Sequence, residues 1–436
     1  TQSTWGLIIN QGMDKTTIDP DVKHGQLSRV GRSFHPSPIQ ELSQLAQRSD
    51  AINLAEGFPD FPASSAIKQA AISAINSNFN QYRHVQGICD LIANSMMLSH
   101  GLQINPFTDV VVCCGQTEAL AAAVIAVIDS GDEVVLFDPS YETYDGCIRI
   151  AGGIPVYVEL EPPNWRLNPE KFLQAFTSKT KAVIINSPQN PTGKVFSEEE
   201  LHIIAEACRR NNCLAITDEV RGLLTLPKKH TGFPQVYEHI TYDNVHHISI
   251  SSLPEMQERT IITSSLSKTF GVTGWRIGWA VASSPIASAI RNIHVKLTDS
   301  APAPFQEAAI AALRSSPAFY AGLKKDYEWK RDFTVSLLLR VGLKVPFVPQ
   351  GSFFVFAEVP EEWGLRDVEF VETMIERAGV VAVPGSGFFH SELYRNKRLP
   401  YDFVYQKRYI RFAFCKSQAT LSSAAKRLQS SPPFLG

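Results

Sequence analysis

The chain has no apolar run of the roughly 18 residues a membrane-crossing helix needs, and no excess of either charge. Lysine and arginine number 41 against 43 acidic residues, a net charge of −2. That balance asks for neither nucleic acid nor an anionic membrane surface as partner. There is no C-x-x-C pair, and the seven cysteines are odd in number. A disulfide framework and a zinc or haem spacing are therefore not expected. Most of these cysteines lie in apolar surroundings and read as buried thiols of a reducing compartment. His246-His247 is a bare pair in a polar stretch, expected to be surface or packing and not a metal ligand. Internal repeats and low-complexity tracts are missing too.

What is present is an ordinary globular balance, 44% hydrophobic and 19% charged over 436 residues, enough for two or more domains. The first residue is threonine, so the start of the natural chain stays open. Residues 1–27 are polar and irregular and are expected to form a flexible tail. They show neither an Arg-rich pattern nor a signal-peptide h-region. A cytoplasmic location is the expectation, with organellar targeting still open.

From residue 65 to 320, helices alternate with short strands that are apolar throughout, such as Glu133-Val-Val-Leu-Phe, Ala182-Val-Ile-Ile and Thr260–Ser264. That pattern predicts an α/β fold, a mostly parallel sheet sandwiched by helices in a large domain. Beyond 320 the order changes. A long helix over Lys324–Val341, strands at Phe353, Val380 and Tyr409, and a helix over Asp367–Ala378 predict a small α+β domain, 321–436. Residues 28–64 are expected to pack on it, leaving a cleft between the two.

The residues that carry chemistry fall near strand ends, where open α/β sheets bind ligands. Lys268 follows the strand Thr260–Ser264 in Ser-Leu-Ser-Lys-Thr-Phe. A lysine there is costly to place without a partner or a covalent role. Asn190 and Asp218 follow two other predicted strands. Together with Arg276 and Arg411 they read as a pocket for an aldehyde cofactor that bears a phosphate. The amine forms a Schiff base, the carboxylate keeps a ring nitrogen protonated, and the arginines take anions. A plain Asp–Lys salt bridge explains neither Asn190 nor the arginines. Asp218 as a helix cap is the weaker alternative, since no clear helix follows it.

Gly115-Gln116-Thr117 opens a helix after a strand and suits a phosphate, although an ordinary turn would look the same. Ser265 and Arg276 would complete that cup. Tyr141 could stack on a cofactor ring or simply fill core. Arg411, flanked by apolar residues in Tyr-Ile-Arg-Phe-Ala-Phe, suits a bidentate grip on a carboxylate. One solvated arginine on an alternating strand is the competing reading.

Six motifs together carry a resemblance that runs from about 28 to 430. They are Asn-Leu-Ala-Glu-Gly-Phe-Pro-Asp-Phe (53–61), Asn-Ser-Pro-Gln-Asn-Pro-Thr-Gly-Lys (186–194), Asp-Glu-Val (218–220), Ser-Leu-Ser-Lys-Thr-Phe (265–270), Thr-Gly-Trp-Arg-Ile-Gly-Trp (273–279) and Tyr-Ile-Arg-Phe (409–412). The chain resembles class I, fold-type I pyridoxal-5′-phosphate aminotransferases, in the kynurenine aminotransferase, glutamine transaminase K and aromatic-methionine branch.

The resemblance implies a seven-stranded sheet, pyridoxal 5′-phosphate as cofactor, amino acid and 2-oxo acid substrates, ping-pong chemistry and a homodimer with shared sites. It implies Lys268 as the Schiff-base lysine and base, Asp218 at the pyridine nitrogen, Asn190 at the phenolic oxygen and Tyr141 on the ring. Gly115, Gln116, Thr117, Ser265 and Arg276 would hold the phosphate, reached also by Tyr82 of the neighbouring subunit. Arg411 and Asn186 would bind the substrate carboxylate near Gly57 and Ile39. Phe34, Tyr141 and Phe388-Phe389 favour aromatic or methionine-like side chains, and the branch adds glutamine and kynurenine. A cysteine-S-conjugate β-lyase is the alternative, because the same carbanion can expel a β-leaving group.

One departure stands out. The family reads Asp-Glu-Val-Tyr without a break, its tyrosine meeting the phenolic oxygen. Here residues 221–236 intervene before Tyr237, sixteen extra positions. Asp218 and Lys268 stand 50 apart; without the insert the separation is 34, an ordinary family spacing. Tyr237 is expected to be the displaced tyrosine. An insert that cannot loop out would instead leave a catalytically impaired cofactor-binding isoform.

Overall fold

The computed structural model describes residues 27–34, 37–219, 240–390 and 405–430. Residues 1–26 of the expected tail 1–27, the insert 221–236 and Tyr237 lie outside the described residues.

Among the described residues, thirteen strands form three sheets. They are β1 (Ile52–Asn53), β2 (Val110–Cys114), β3 (Glu133–Asp138), β4 (Ile154–Glu161), β5 (Arg166–Leu167), β6 (Thr180–Asn186), β7 (Leu214–Asp218), β8 (Thr260–Ser265), β9 (Ile277–Val281), β10 (Phe354–Glu358), β11 (Val380–Val381), β12 (Val383–Pro384) and β13 (Tyr409–Ala413). The large sheet has the order β2-β9-β8-β7-β6-β3-β4-β5. Neighbours from β4 through β3, β6 and β7 to β8 pair in parallel, and β9 runs against both its neighbours. The expected count of seven is corrected to eight by β5, a two-residue strand folded back on the end of β4. Two residues carry no alternating pattern, so nothing in the sequence marks it.

The apolar composition of the central strands has its usual cause. Val134, Val135, Val183, Ala215 and Ile216 are wholly buried because helices cover both faces. Around β2 and β9 a further apolar cluster joins the helices Gln86–His100 and Ala303–Leu313.

The second sheet is β10-β13-β12, all antiparallel, and a third pairs β1 with β11. These two are stitched together where Ala413 N donates to Leu54 O at 2.8 Å. The helix Asp367–Ala378 has the expected bounds. The long helix begins seven residues before the expected Lys324, at Pro317, and ends at Arg340. Ser316 caps it by accepting from Phe319 N, and Pro317 occupies a first-turn position, where a missing N–H costs nothing.

Candidate active site

The carboxyl ends of β6, β7 and β8 lie side by side: Asn186 is in register with Asp218, and Asp218 with Thr263. Lys268 follows three residues after the end of β8. These ends open on a cavity of about 730 Å³. It gathers Lys268, Asp218, Asn186, Asn190, Tyr141, Gln116, Thr117, Ser265, Arg276, Arg411, Gly57 and Ile39 from far-apart stretches of chain.

Lys268 points its amine at a backbone carbonyl, Nζ donating to Gly57 O at 2.5 Å. Among the described residues it forms no ion pair with a carboxylate. Burial lowers its pKa, and nearby Arg411 and Lys416 press the same way, against Cys415 and Glu56. A neutral amine is thereby favoured beyond what a solvated lysine allows.

Asp218 is buried, and burial raises its pKa; hydrogen bonds from Tyr144 and Gln116 and the charge of Lys268 oppose that rise. Tyr144 Oη donates to Asp218 Oδ2 at 2.5 Å. Sequence reasoning missed Tyr144, although it lies one helical turn beyond Tyr141 on the helix Glu142–Ile150. Tyr141 meets it edge to face at 5.9 Å and presents its own ring to the cavity.

Next to Asp218, Glu219 accepts from Thr217 Oγ1 at 2.9 Å and Ser249 Oγ at 2.8 Å, and its Oε2 lies 3.2 Å from His247 Nε2. His247 is thus a buried member of a polar network that pins the end of β7, whereas His246 is exposed.

Past the end of β2 in the same sheet, Gly115 starts the helix Gly115–Val127 at φ +78°. Only glycine suits this turn, since a Cβ would lie 2.3 Å from Arg276 Nη2. Arg276 is itself left-handed, φ 55°, and is braced by Thr273 O at 3.0 Å and Cys114 O at 3.5 Å. Glu118 steadies the same turn. It accepts from Cys114 N at 2.8 Å and lies 3.0 Å from His294 Nδ1. Cys113, Glu118 and His294 bring their ligand atoms within 4.8 Å of one another, a trio that spacing did not reveal.

Arg411 sits in the middle of β13 and is 1% exposed, which overturns the solvated-strand reading. Nη1 donates to Asn190 Oδ1 at 2.8 Å and Nη2 to Ala55 O at 2.7 Å. The guanidinium lies 4.2 Å from the Phe354 ring centre and 4.7 Å from that of Phe388. Nε is buried with no hydrogen-bond partner among the described residues. Burial brings the pKa down to about 10. From Arg411 a hydrogen-bonded chain crosses to the large sheet. Asn190 N donates to Asn186 Oδ1 at 2.7 Å, and Asn186 Nδ2 to Asp218 O at 3.1 Å.

Two expected residues are not in this cavity, besides the undescribed Tyr237. Gly115 lies just behind it, against Arg276. Tyr82 is 78% exposed and borders a separate hollow with Ser300–Pro304. The expected aromatic lining is also different. Phe34 is exposed and Phe388 and Phe389 are buried outside the cavity wall, whereas Phe58, Phe353 and Phe354 line it with Tyr141. Adjacent Phe353 and Phe354 can both face it because the chain turns just before β10.

A half-buried amine, a buried carboxylate and two arginines line one cavity, a site suited to an anionic ligand. The family described as aminotransferase class I and II matches residues 49–428, and the chain belongs to it. The chain is 34% identical to the kynurenine–oxoglutarate transaminase of Dictyostelium discoideum, over 92% of this chain and 95% of that one. It is 32% identical to the methionine aminotransferase of Escherichia coli (strain K12), over 95% and 99%. The structure of N-succinyldiaminopimelate aminotransferase from Mycobacterium tuberculosis superposes with a TM-score of 0.82 at 34% identity, covering 93% of this chain and 99% of that one. The protein is a pyridoxal-phosphate-dependent aminotransferase of fold type I, working on amino acid and 2-oxo acid substrates.

The residues present fit that cofactor. Among the described residues Lys268 Nζ has no carboxylate partner, and Gly115 and Arg276 form a cradle that a single Cβ would fill. Among the described residues, no helix is long and apolar enough to cross a membrane.

Proposed function

We propose that this enzyme transaminates amino acids with aromatic, methionine-, glutamine- or kynurenine-like side chains, with Lys268 as its catalytic amine. The observation that carries the reading is the Lys268 amine, half-buried in the cavity and bonded to the Gly57 carbonyl, with no carboxylate ion pair among the described residues. The printed names of the relatives, which include kynurenine and methionine enzymes, support the substrate range.

When bound, pyridoxal phosphate supplies an aldehyde for covalent attachment and a ring that takes up the electron pair left by a departing α-proton. Lys268 is the group to take that proton at Nζ, and its lowered pKa makes the neutral base available nearer to neutral pH. Asp218 would hold a proton on the ring nitrogen, with Tyr144 and Gln116 donating to keep the carboxylate ionised. Asn190, whose Oδ1 is taken by Arg411, would offer Nδ2 to the phenolic oxygen, joined by Tyr237.

Tyr141 would lie on the ring. Gly115, Gln116, Thr117, Ser265 and Arg276 would hold the phosphate. Arg411 donates one N–H from each of Nη1 and Nη2 within the protein, which leaves one on each for a substrate carboxylate, with Asn186, Gly57 and Ile39 around it.

Tyr82, exposed and away from its own cavity, would serve the phosphate of a second subunit in a homodimer. Residues 65–320 would be the cofactor-binding unit, and 28–64 with 321–436 the smaller one. All seven cysteines are free thiols, which supports a reducing, cytoplasmic setting.

The test is a half-reaction screen. Purified protein is mixed with phenylalanine, methionine, glutamine and kynurenine while the cofactor absorbance is followed. A change with at least one donor is expected, and silence with all four would end the proposal.

A further inference from the structure

A second lysine is sealed deeper than Lys268. Lys416 lies just past β13 and is 1% exposed. Lysines are almost never buried that far unless paired. Yet among the described residues Lys416 forms no ion pair, and its amine donates to Phe58 O at 3.0 Å. The same amine lies 3.8 Å from the centre of the Phe58 ring. Burial lowers its pKa, opposed by Cys415, Asp60 and Glu56. No step of the chemistry above uses this lysine.

Phe58 belongs to the turn 57–60, which the segment 415–420 grips at two further points. Asp60 accepts from Ser417 N, and from Thr420 Oγ1 at 2.6 Å. The turn also meets the reactive lysine. Gly57 O takes the Lys268 amine at 2.5 Å, and Gly57, Phe58 and Pro59 all line the cavity. Packing leaves this turn little room. A Cβ on Gly57 would lie 2.5 Å from Phe354 Cζ, and one on Gly271, in the segment after Lys268, 3.2 Å from Phe61 O. Two amines thus hold consecutive carbonyls, Lys268 that of Gly57 and Lys416 that of Phe58.

We infer that Lys416 is a positioning residue for the reaction: by gripping Phe58 O it fixes the turn 57–60, so that Gly57 O stands where it holds the free Lys268 amine ready. This rests on the reading of Lys268 as the catalytic amine and adds to it. A neutral amine that donates an N–H to Gly57 O keeps its lone pair for the cofactor aldehyde or for a substrate proton. Rates at such a group are sensitive to its placement, and a shift of about 1 Å can cost 100-fold. The charge of Lys416 acts on the same amine. With Arg411 it disfavours a second positive charge at Lys268, while Cys415 and Glu56 act the other way.

The experiment strips the full chain of cofactor and follows the return of absorbance as pyridoxal phosphate is added, at a series of pH values. It compares the unaltered protein with Lys416→Met, which has neither donor nor charge, and Lys416→Gln, which keeps a donor for Phe58 O. Lys416→Met should load about tenfold more slowly at neutral pH, the worth of one hydrogen bond to a charged group. Removing a like charge raises the Lys268 pKa, so the neutral amine forms later as the pH rises. The rise of loading rate with pH should therefore move to higher pH in both variants, with the smaller loss of rate in Lys416→Gln. In the loaded Lys416→Met enzyme kcat should fall while the donor KM holds, since the bonds of Arg411 are untouched.

A Lys416→Met protein that loads at the unaltered rate, with its pH dependence in place, would overturn the inference. So would a change seen only as a lower melting temperature, the mark of a lysine that merely braces the fold. Should Lys416→Met not fold, Lys416→Gln decides by the same movement of the pH dependence. Failure of the Lys268 reading would look different: borohydride reduction of the unaltered, loaded protein would label a position other than 268.

Discussion

The two walls of the cavity are built on opposite plans. On the large-sheet wall, the reactive side chains stand at or just past strand ends, Asp218 closing β7 and Lys268 three residues beyond β8. Asp218 is buried and Lys268 half-buried, and removal from water disfavours the charged form of each. On the small-sheet wall, Arg411 sits in mid-strand between β10 and β12, flanked by two phenylalanine rings and bonded to Asn190 and Ala55. One wall leaves its groups electrostatically unsettled, as proton transfer requires. The other fixes a permanent charge in a rigid frame, as recognition requires. Substitutions on the two walls should therefore fail in different ways.

The largest effect should come from Lys268→Ala. Loss of the base is expected to lower kcat by at least about 10³-fold, some 4 kcal/mol in the barrier, with every donor alike. Borohydride should no longer label position 268, while donor carboxylate binding, followed by calorimetry, persists. Undiminished turnover would remove Lys268 from the chemistry. Arg411→Lys should show the opposite signature. It keeps a charge but loses the planar fork, so kcat/KM is expected to fall by about 100-fold, roughly 3 kcal/mol, the cost of disrupting a buried charged contact. Most of that should appear in KM, with cofactor content unchanged. A loss confined to kcat would erase the distinction between the walls.

The large-sheet wall was also the more legible of the two in the sequence. Asn190, Asp218 and Lys268 could be placed because continuous apolar runs mark buried parallel strands, and ligands gather where those runs stop. Arg411 was ambiguous, since an arginine in an alternating strand reads the same whether it is solvated or sealed. What sealed it are Phe354 and Phe388, brought in by segments far away in sequence. Tyr144 was missed for a related reason: its partner Asp218 is 74 residues away, and no local pattern signals a contact across a fold. The pocket aromatics were misjudged likewise. Hydrophobicity marks Phe353, Phe354, Phe388 and Phe389 equally, and only packing decides which pair faces the cavity.

Gly115→Ala tests the third corner, where backbone and not side chain is responsible. The methyl group would meet Arg276 Nη2 at 2.3 Å, at a φ of +78° that alanine resists. Strain of about 1–3 kcal/mol is typical for such a backbone, so cofactor affinity should weaken by about tenfold in equilibrium dialysis. Saturating cofactor should restore most of the turnover, which neither Lys268→Ala nor Arg411→Lys allows. Unchanged affinity would show that the turn does not hold the phosphate.

Tyr144→Phe should give the smallest loss and the finest discrimination. It removes the hydroxyl that donates to Asp218 Oδ2 and keeps the ring against Tyr141. The donor holds the carboxylate's pKa down against burial, so its loss raises that pKa further. Asp218 acts as an ionised group, and protonation on acidification abolishes its hold on the ring nitrogen. With a higher pKa that protonation occurs sooner as the pH falls, and the acid limb of the kcat/KM profile moves to higher pH. At neutral pH the loss should be about tenfold or less, within the worth of one hydrogen bond to a charged group, and it should shrink as the pH is raised. Arg411→Lys should leave the acid limb where it is. An acid limb that stays put in Tyr144→Phe would mean that burial alone sets the Asp218 charge, and the large-sheet wall would then be less finely tuned than its hydrogen bonds indicate.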